Sequence, residues 1–411
     1  MKVRVWGAAL AAVALASACA RVPVLASPVD HAAAYGADAK AMCELVPKVY
    51  AFHAERASHW DEACRQAQVE AAAVTTPRQG TTMLEHLVEA LWDNHASLGV
   101  NAGISPWLVP SGSDMWLECE GESVVVTGVR HDGAADRAGI RPVDVIVSID
   151  GKMPMEAAMA RIRTGLDNVS PARMAWALNA AGAGYRGQER QLVVLQGGAQ
   201  REITLGNPAP AKIEAPVSAR RIGDVGYVRF NDSLGEDRTV AAFDTAVEEL
   251  RGVKAWIVDV RDTPSGGSTD VAEPVMGRFV TKAVDYQITA PPDSAAYARR
   301  IEPRGPWTLE GPVAVLAGRW TGSMGEGMAI GFDGMKRGVV VGGPMAGLAG
   351  GVEVFNLPAT NTSLRLPAYA LTHIDGTLRQ DWRPHELAQP DAGGAADPAF
   401  ERALQIVQGR P

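Results

Sequence analysis

Apolar residues recur along this chain with two different periods, and the change of period divides it into three parts. Between residues 37 and 115 the period is helical. Met83, Leu84, Leu87, Val88 and Leu91 form one apolar stripe at spacings of three and four residues. The pattern predicts a helical N-terminal region over residues 37–115.

Residues 116–206 show the short apolar runs and glycine turns of a β-rich domain. Ser123–Val129 and Val145–Ile149 are predicted strands, and Asp150-Gly151 follows the second as a turn. The runs 191–195 and 201–205 flank Gly197-Gly198 and predict a closing hairpin. A helical insertion is expected between Met155 and Tyr185.

Residues 207–411 begin with a Pro/Ala-rich linker and then alternate between strands and helices. Ala255–Arg261 is almost entirely apolar, as in a strand buried on both faces. The other predicted elements are strands at 225–230, 313–317 and 339–342, and helices at 239–250 and after Ser323. Such alternation predicts an α/β core with a mixed, partly parallel sheet.

The N-terminus has the features of a targeting segment. A basic start precedes a short apolar run, and the small residues Ala16-Ser17-Ala18 lead directly into Cys19. We expect a signal peptide over residues 1–18, a tether over 19–36, and export to the bacterial periplasm or cell envelope. Cys19 is a candidate for lipidation, which would supply a membrane anchor. The alternative is an ordinary signal peptide cut after Ala26, with Cys19 incidental.

Net charge, cysteines and ligand spacing bear on the partners, the compartment and the cofactors of the protein. The 411 residues carry a net charge of −8, which gives no electrostatic argument for binding nucleic acid. Export would place Cys43 and Cys64 in an oxidising compartment, where they form either a disulfide or two separate buried thiols. No group of residues has metal-ligand spacing, so we expect no metal and no cofactor.

The segment Thr321-Gly322-Ser323-Met324 carries the strongest chemical signal. It follows the apolar run 311–317 and opens a small-residue helix. A serine at a strand-to-helix junction suits a nucleophile, because its hydroxyl is exposed and main-chain N–H groups lie near it. The alternative is a serine that only caps the helix.

Several motifs in one order resemble the tail-specific, or C-terminal processing, serine peptidases (family S41). They are AGIRPVDVIVSIDG, GYVRF, VDVRDTPSGGS, GRWTGSMGEG and VVVGGPMAGLAGG. The first motif is similar to a PDZ domain, which would cover about residues 116–206. The resemblance to the peptidase family as a whole covers about residues 80–385. It implies that Ser323 is the nucleophile, that Glu326 is the acid trailing it, and that the substrate is a polypeptide or peptide. The oxyanion donors would be the N–H groups of Met324 and of the Gly266-Gly267 turn, which is otherwise a plain tight turn.

The sequence departs from the family at the general base. Leu348 stands where the processing peptidases have a lysine, and Lys336 lies at the far end of the helix. A second branch, which includes the tricorn protease, uses a histidine located before the PDZ domain. His95 occupies that place, although a histidine at a helix C-terminus also interacts with the helix dipole alone. A free imidazole base predicts a rate that falls below pH ~6.

The residue that orients His95 is left open by the sequence. Asp93, Glu326 and Glu386 are the candidates, or no acid serves, and Arg383 stands where the tricorn-like branch has its acid. His373 is predicted to be structural.

The sequence thus predicts an exported serine endopeptidase that works through an acyl-enzyme on Ser323. Its PDZ-like domain would engage the substrate as an added strand, although Glu122 would repel a terminal carboxylate. Two alternatives remain: an inactive binding or scaffold protein of the cell envelope, and a protein acting on a non-peptide ligand.

Overall fold

A computed structural model describes residues 30–388 and 397–410. The predicted signal peptide and Cys19 lie outside these residues. The helices are α1 (His31–Val49), α2 (His53–Arg56), α3 (Trp60–Ala71), α4 (Pro77–Glu89), α5 (Ala134–Arg137), α6 (Pro154–Met159), α7 (Pro171–Ala183), α8 (Arg238–Glu249), α9 (Thr269–Met276), α10 (Met324–Gly334) and α11 (Pro398–Val407). The strands are β1 (Ser97–Leu98), β2 (Met115–Glu120), β3 (Ser123–Val129), β4 (Val145–Ile149), β5 (Arg190–Gln196), β6 (Ala199–Leu205), β7 (Val217–Ile222), β8 (Val225–Phe230), β9 (Ala255–Asp259), β10 (Val284–Ala290), β11 (Tyr297–Ile301), β12 (Val313–Ala317), β13 (Val339–Gly342), β14 (Gly351–Asn356), β15 (Ser363–His373) and β16 (Glu386–Leu387).

The N-terminal helices α1 to α4 pack on one another around a shared apolar core. Helix α4 begins with a capping box, in which the Thr76 hydroxyl accepts the N–H of Gln79 and the Gln79 side chain accepts the N–H of Thr76. A disulfide joins Cys43 in α1 to Cys64 in α3. Helix α1 begins at His31, inside the segment predicted as a tether, and Tyr35 is already buried in the helical core.

The helices end earlier than the pattern predicts, at Glu89. Residues between α4 and β2 form turns and the two-residue strand β1, which pairs antiparallel with β15. A strand this short exists only because a distant partner supplies its hydrogen bonds, so local sequence gives no sign of it.

Residues 115–205 form an antiparallel sheet in the order β2-β3-β4-β5-β6, with α6 and α7 in the predicted helical insertion. Leu117, Val126, Ile146 and Leu192 are buried beneath the helices. The outer edge of β2 is closed by α7, because the Asn179 amide accepts the Leu117 N–H and donates to the Leu117 carbonyl, both at 2.9 Å.

The mixed sheet of the α/β core has six strands in the order β16-β13-β12-β9-β8-β7. All neighbours are parallel except β7 and β8. The five residues of β9 are all buried, as the apolar run predicts. Helices α8, α9 and α10 contribute to the apolar core on one face of the sheet, and α11 packs on the other.

A second core sheet, β1-β15-β10-β11 with β14 beside β15, connects the N-terminal helices to the core. Leu364 and Leu366 of β15 are buried among the N-terminal helices. Because β1 pairs with β15 at Ser97 and Leu98, the loop just before β1 is held against the core. No helix among the described residues is both long and apolar enough to span a membrane.

Candidate active site

Ser323 lies in a tight turn between β12 and α10. The Thr321 hydroxyl donates to the Val260 carbonyl and accepts the N–H of Gly318, which fixes the turn to the end of β9. Ser323 itself adopts φ 50° and ψ −109°. This conformation is unusual for a residue with a Cβ, and such strain is concentrated at functional sites. Gly266 faces it closely, since a Cβ on Gly266 would lie 2.4 Å from the Cβ of Ser323.

The structure brings His95 to Ser323 across 228 residues of sequence. His95 Nε2 lies 3.0 Å from Ser323 Oγ, and His95 Nδ1 lies 2.7 Å from the carbonyl oxygen of Ala349. A carbonyl only accepts hydrogen bonds, so Nδ1 carries the proton in the neutral ring. Nε2 is then free to accept the proton of the Ser323 hydroxyl, as a general base must.

The surroundings keep His95 neutral. Desolvation, with a further contribution from the positive charge of Arg379, lowers the pKa of His95 to about 4. The expectation that activity falls below pH ~6 is therefore revised, and the protonation of His95 is placed near pH 4.

None of the three candidate acids touches the imidazole ring. Asp93 Oδ1 accepts the main-chain N–H of His95 at 2.9 Å, and Asp93 Oδ2 accepts the hydroxyl of Tyr50 at 2.7 Å. Glu386, at the edge of the six-stranded sheet, pairs with Arg402 at 3.2 Å. Neither Asp93 nor Glu386 bonds to the ring in this structure, and the Nδ1 of His95 is held by the main-chain carbonyl of Ala349.

Glu326 is wholly buried in the first turn of α10 and organises the main chain around Ser323. Its carboxylate accepts the N–H groups of Ser323 at 2.8 Å and Gly347 at 2.9 Å, and Leu348 donates to it as well. Burial raises the pKa of Glu326 to about 7, although Arg379 and the three N–H donors oppose the shift. Glu326 thus positions the turn that carries Ser323 and has no bond to His95.

Two of the three predicted oxyanion donors are available. The N–H of Gly266 donates to the Thr263 carbonyl at 3.0 Å, which closes the turn and removes it as a donor. The N–H groups of Gly267 and Met324 have no acceptor within residues 30–388 and 397–410. Met324 is the first residue of α10, where the N–H has no acceptor within the helix.

The remaining candidates lie where they have no part in proton transfer. Leu348 is buried and packs against Gly322, so an apolar side chain occupies the place of a lysine base. Lys336 is exposed beyond the C-terminal end of α10, and Arg383 is exposed with its guanidinium on nearby carbonyls. His373 lies between Asp333 and Asp375, at 3.1 and 3.0 Å.

One group of described residues has the spacing of a cation site. His131, Asp132 and Asp136 each place a ligand atom within 4.8 Å of the others, near the start of α5. Asp136 already accepts the N–H of Asp132 and the guanidinium of Arg141. These contacts account for the cluster as a surface turn, and we assign it no metal.

Two groups at the site carry no signal in the sequence. Ala349 contributes only a carbonyl oxygen, which has no signature in the sequence. Arg379 lies in the 3-10 turn after β15 and is only 3% exposed, yet it belongs to no motif. A lone arginine in an otherwise unremarkable stretch gives no signal until its neighbours are known.

Comparison with known proteins gives a family match to part of the chain. Residues 224–385 match Peptidase family S41. The chain is 28% identical over 242 residues to carboxyl-terminal-processing peptidase 2, chloroplastic, of Arabidopsis thaliana, covering 57% of this chain and 43% of that protein. It is 26% identical over 234 residues to C-terminal processing peptidase, chloroplastic, of Tetradesmus obliquus, covering 54% and 47%. The matched region is thus about half the length of these relatives.

Solved structures share the fold over almost the whole chain. Mature CPAF gives a TM-score of 0.62 at 13% identity, covering 92% of this chain and 98% of that one. The photosystem II D1 C-terminal processing protease gives 0.55 at 18% identity, covering 91% and 97%. At these identities the likeness concerns the fold alone. The sequence comparisons thus show that residues 224–385 are similar to Peptidase family S41 and that the chain is similar to C-terminal processing peptidases.

Proposed function

We propose that this chain is a serine endopeptidase that cleaves polypeptides through an acyl-enzyme on Ser323, with His95 as its general base. The observation that carries the proposal is the 3.0 Å contact between His95 Nε2 and Ser323 Oγ. The strained backbone of Ser323 and the N–H groups of Gly267 and Met324, which have no acceptor among the described residues, support the same reaction.

A two-stage acyl transfer fits this geometry. Ser323 Oγ attacks the scissile carbonyl carbon while its proton passes to His95 Nε2, and the oxyanion accepts the N–H groups of Gly267 and Met324. The C–N bond then breaks as His95 returns the proton to the leaving amine. Water, deprotonated by the same imidazole, hydrolyses the acyl-enzyme and restores the Ser323 hydroxyl.

The imidazolium formed in this cycle faces a carbonyl oxygen instead of a carboxylate. A carbonyl holds the Nδ1–H tautomer as an acid would, but it stabilises the positive ring less. We therefore expect a serine–histidine dyad of modest rate. His95 and Leu348 support our proposal that the chain resembles the histidine-using branch of the family.

The test is covalent labelling with a fluorophosphonate, followed by cleavage of an unfolded polypeptide. Wild-type protein should be labelled on Ser323, and Ser323→Ala should lose labelling and about 10⁴-fold or more of the cleavage rate. Ser294→Ala is the matched control, because Ser294 is an exposed serine in the loop between β10 and β11. Absence of labelling in folded wild-type protein would support a scaffold protein that has kept the fold without the chemistry.

Location and substrate engagement belong to the same proposal. The basic start, apolar run and Cys19 support export to the cell envelope with a lipid anchor, and residues 116–206 are proposed to be PDZ-like. Fractionation of cells that express the Cys19→Ala variant tests the anchor. Equal membrane association with and without Cys19 would leave simple secretion.

A further inference from the structure

The segment that supplies the Ala349 carbonyl is held by two buried side chains, Glu326 and Arg379. Its first N–H groups, from Gly347 and Leu348, donate to Glu326. Gly347 and Gly350 adopt φ of +72° and +57°, which turns the backbone at each end. A side chain at Gly350 has no room, since its Cβ would lie 2.4 Å from the Tyr369 carbonyl oxygen.

Arg379 binds the carbonyl groups of this segment, whereas Glu326 binds its N–H groups. Its Nη2 donates to the carbonyl oxygens of Leu348 at 3.0 Å and Gly350 at 2.6 Å. These are the residues immediately before and after Ala349. The guanidinium is buried, so both bonds form away from solvent, where bonds to a charged donor are strong.

We propose that Arg379 is a positioning residue of the serine–histidine pair, which fixes the carbonyls on either side of Ala349 and thereby presents the Ala349 oxygen to His95 Nδ1. The inference rests on the proposed peptidase function for its kinetic consequence. Its structural consequence, the tautomer of His95, does not depend on activity.

Arg379 also sets the charge that His95 experiences. The charged groups that act on the ring are Asp93, from its own loop, and Arg379, from the turn after β15. Glu326 on α10 and Tyr369 on β15 in turn act on Arg379. A cation near a histidine disfavours the imidazolium, so removal of Arg379 should raise the pKa of His95.

The experiment measures the tautomer and titration of His95 by ¹⁵N NMR of the imidazole, with the signal identified by its loss in His95→Gln. In wild-type protein we expect the Nδ1–H tautomer alone between pH 5.5 and 8. Arg379→Met should show a mixture of tautomers and a titration midpoint higher by roughly one pH unit or more. It should also lower kcat by about 10- to 100-fold with little change in KM.

Arg379→Lys separates the two effects and replaces the Met variant if that one does not fold. Lysine keeps the charge but lacks the long planar guanidinium, so we expect mixed tautomers with a midpoint that stays low. The control is Arg383→Met, which removes an exposed arginine four residues away and should match wild type. A wild-type tautomer and midpoint in Arg379→Met or a wild-type tautomer in Arg379→Lys would overturn the inference. Absence of Ser323 labelling in wild-type protein would refute the proposed function and leave this measurement unaffected.

Discussion

The surroundings of the proposed nucleophile Ser323 (the nucleophile side) and of the proposed base His95 (the base side) are built in different ways. Ser323 belongs to one continuous stretch between β12 and α10, and Glu326, three residues later, holds its N–H. His95 comes from a loop before β1, and its ring bonds to Ala349, 254 residues away in sequence. The contacts of Ser323 are local in sequence and are visible there as a motif. The contacts of His95 form only once β1 has paired with β15.

The two sides nevertheless use the same device. Each proposed catalytic residue has its main-chain N–H held by a buried carboxylate, Ser323 by Glu326 and His95 by Asp93. In both cases the acid fixes the backbone and leaves the reacting side chain free. A buried acid beside a catalytic histidine is therefore not by itself the third member of a triad, because its lone pairs can serve the main chain instead.

The largest effect should come from removing the base itself. His95→Ala takes away the acceptor of the Ser323 proton, and we expect the cleavage rate at pH 8 to fall by about two to four orders of magnitude. Steady-state kinetics on an unfolded polypeptide measure it. His131→Ala is the control, since His131 is an exposed histidine on the turn before α5. A loss of less than tenfold would mean that another group takes the proton.

A smaller effect should follow from Asp93→Asn, which weakens the hydrogen bonding that holds the main chain of His95. Asp93 accepts the His95 N–H and the Tyr50 hydroxyl and lies 3.6 Å from Arg56 Nη1. An amide has one acceptor oxygen for these donors, so the free energy of unfolding should fall by about 1–3 kcal/mol. We expect the rate to fall about tenfold, because the His95 loop loses its fixed position. Urea unfolding and kcat measure the two effects, and an unchanged rate would show that pairing of β1 alone positions His95.

Glu326→Gln makes the matching change on the nucleophile side and should act mainly through pH. The folded-state pKa of Glu326 is raised to about 7, so between about 4.5 and 7 the folded protein keeps a proton that the unfolded chain releases. The stability that this proton contributes is present below pH 4.5 and is lost as the pH rises through 7. The glutamine variant has no such loss, so its stability relative to wild type should improve from pH 5 to pH 8. Urea unfolding at the two pH values tests this, and a constant difference would mean that Glu326 does not titrate there.

The contrast between the two sides also explains what the sequence predicts and what it does not. Strands 123–129, 145–149, 225–230, 313–317 and 339–342 have the predicted bounds, because their apolar patterns are local and end at turn residues. The position of Ser323 follows from the same kind of signal. The Ala349 carbonyl and Arg379 do not, because their roles depend on the pairing of β1 with β15 and on a segment held between two buried charges. The sequence also predicts that the Gly266 N–H donates to the oxyanion. In the structure this N–H donates to the Thr263 carbonyl instead.

The smallest expected effect on the rate concerns the sheet of residues 115–205, which contributes neither Ser323 nor His95. A PDZ-like groove binds a substrate tail by adding it as a strand to a free sheet edge and by capturing its carboxylate. Here the Asn179 amide already occupies both main-chain groups of Leu117 on the edge of β2. Glu122, exposed in the turn before β3, adds a like charge for any terminal carboxylate. We therefore expect one peptide to be cleaved within about twofold of the same rate with a free or an amidated C-terminus, a difference of less than about 0.5 kcal/mol. The comparison is repeated in Asn179→Ala, which exposes the Leu117 groups. A clear preference of the wild-type protein for the free carboxylate would show that this sheet recognises tails despite the closed edge.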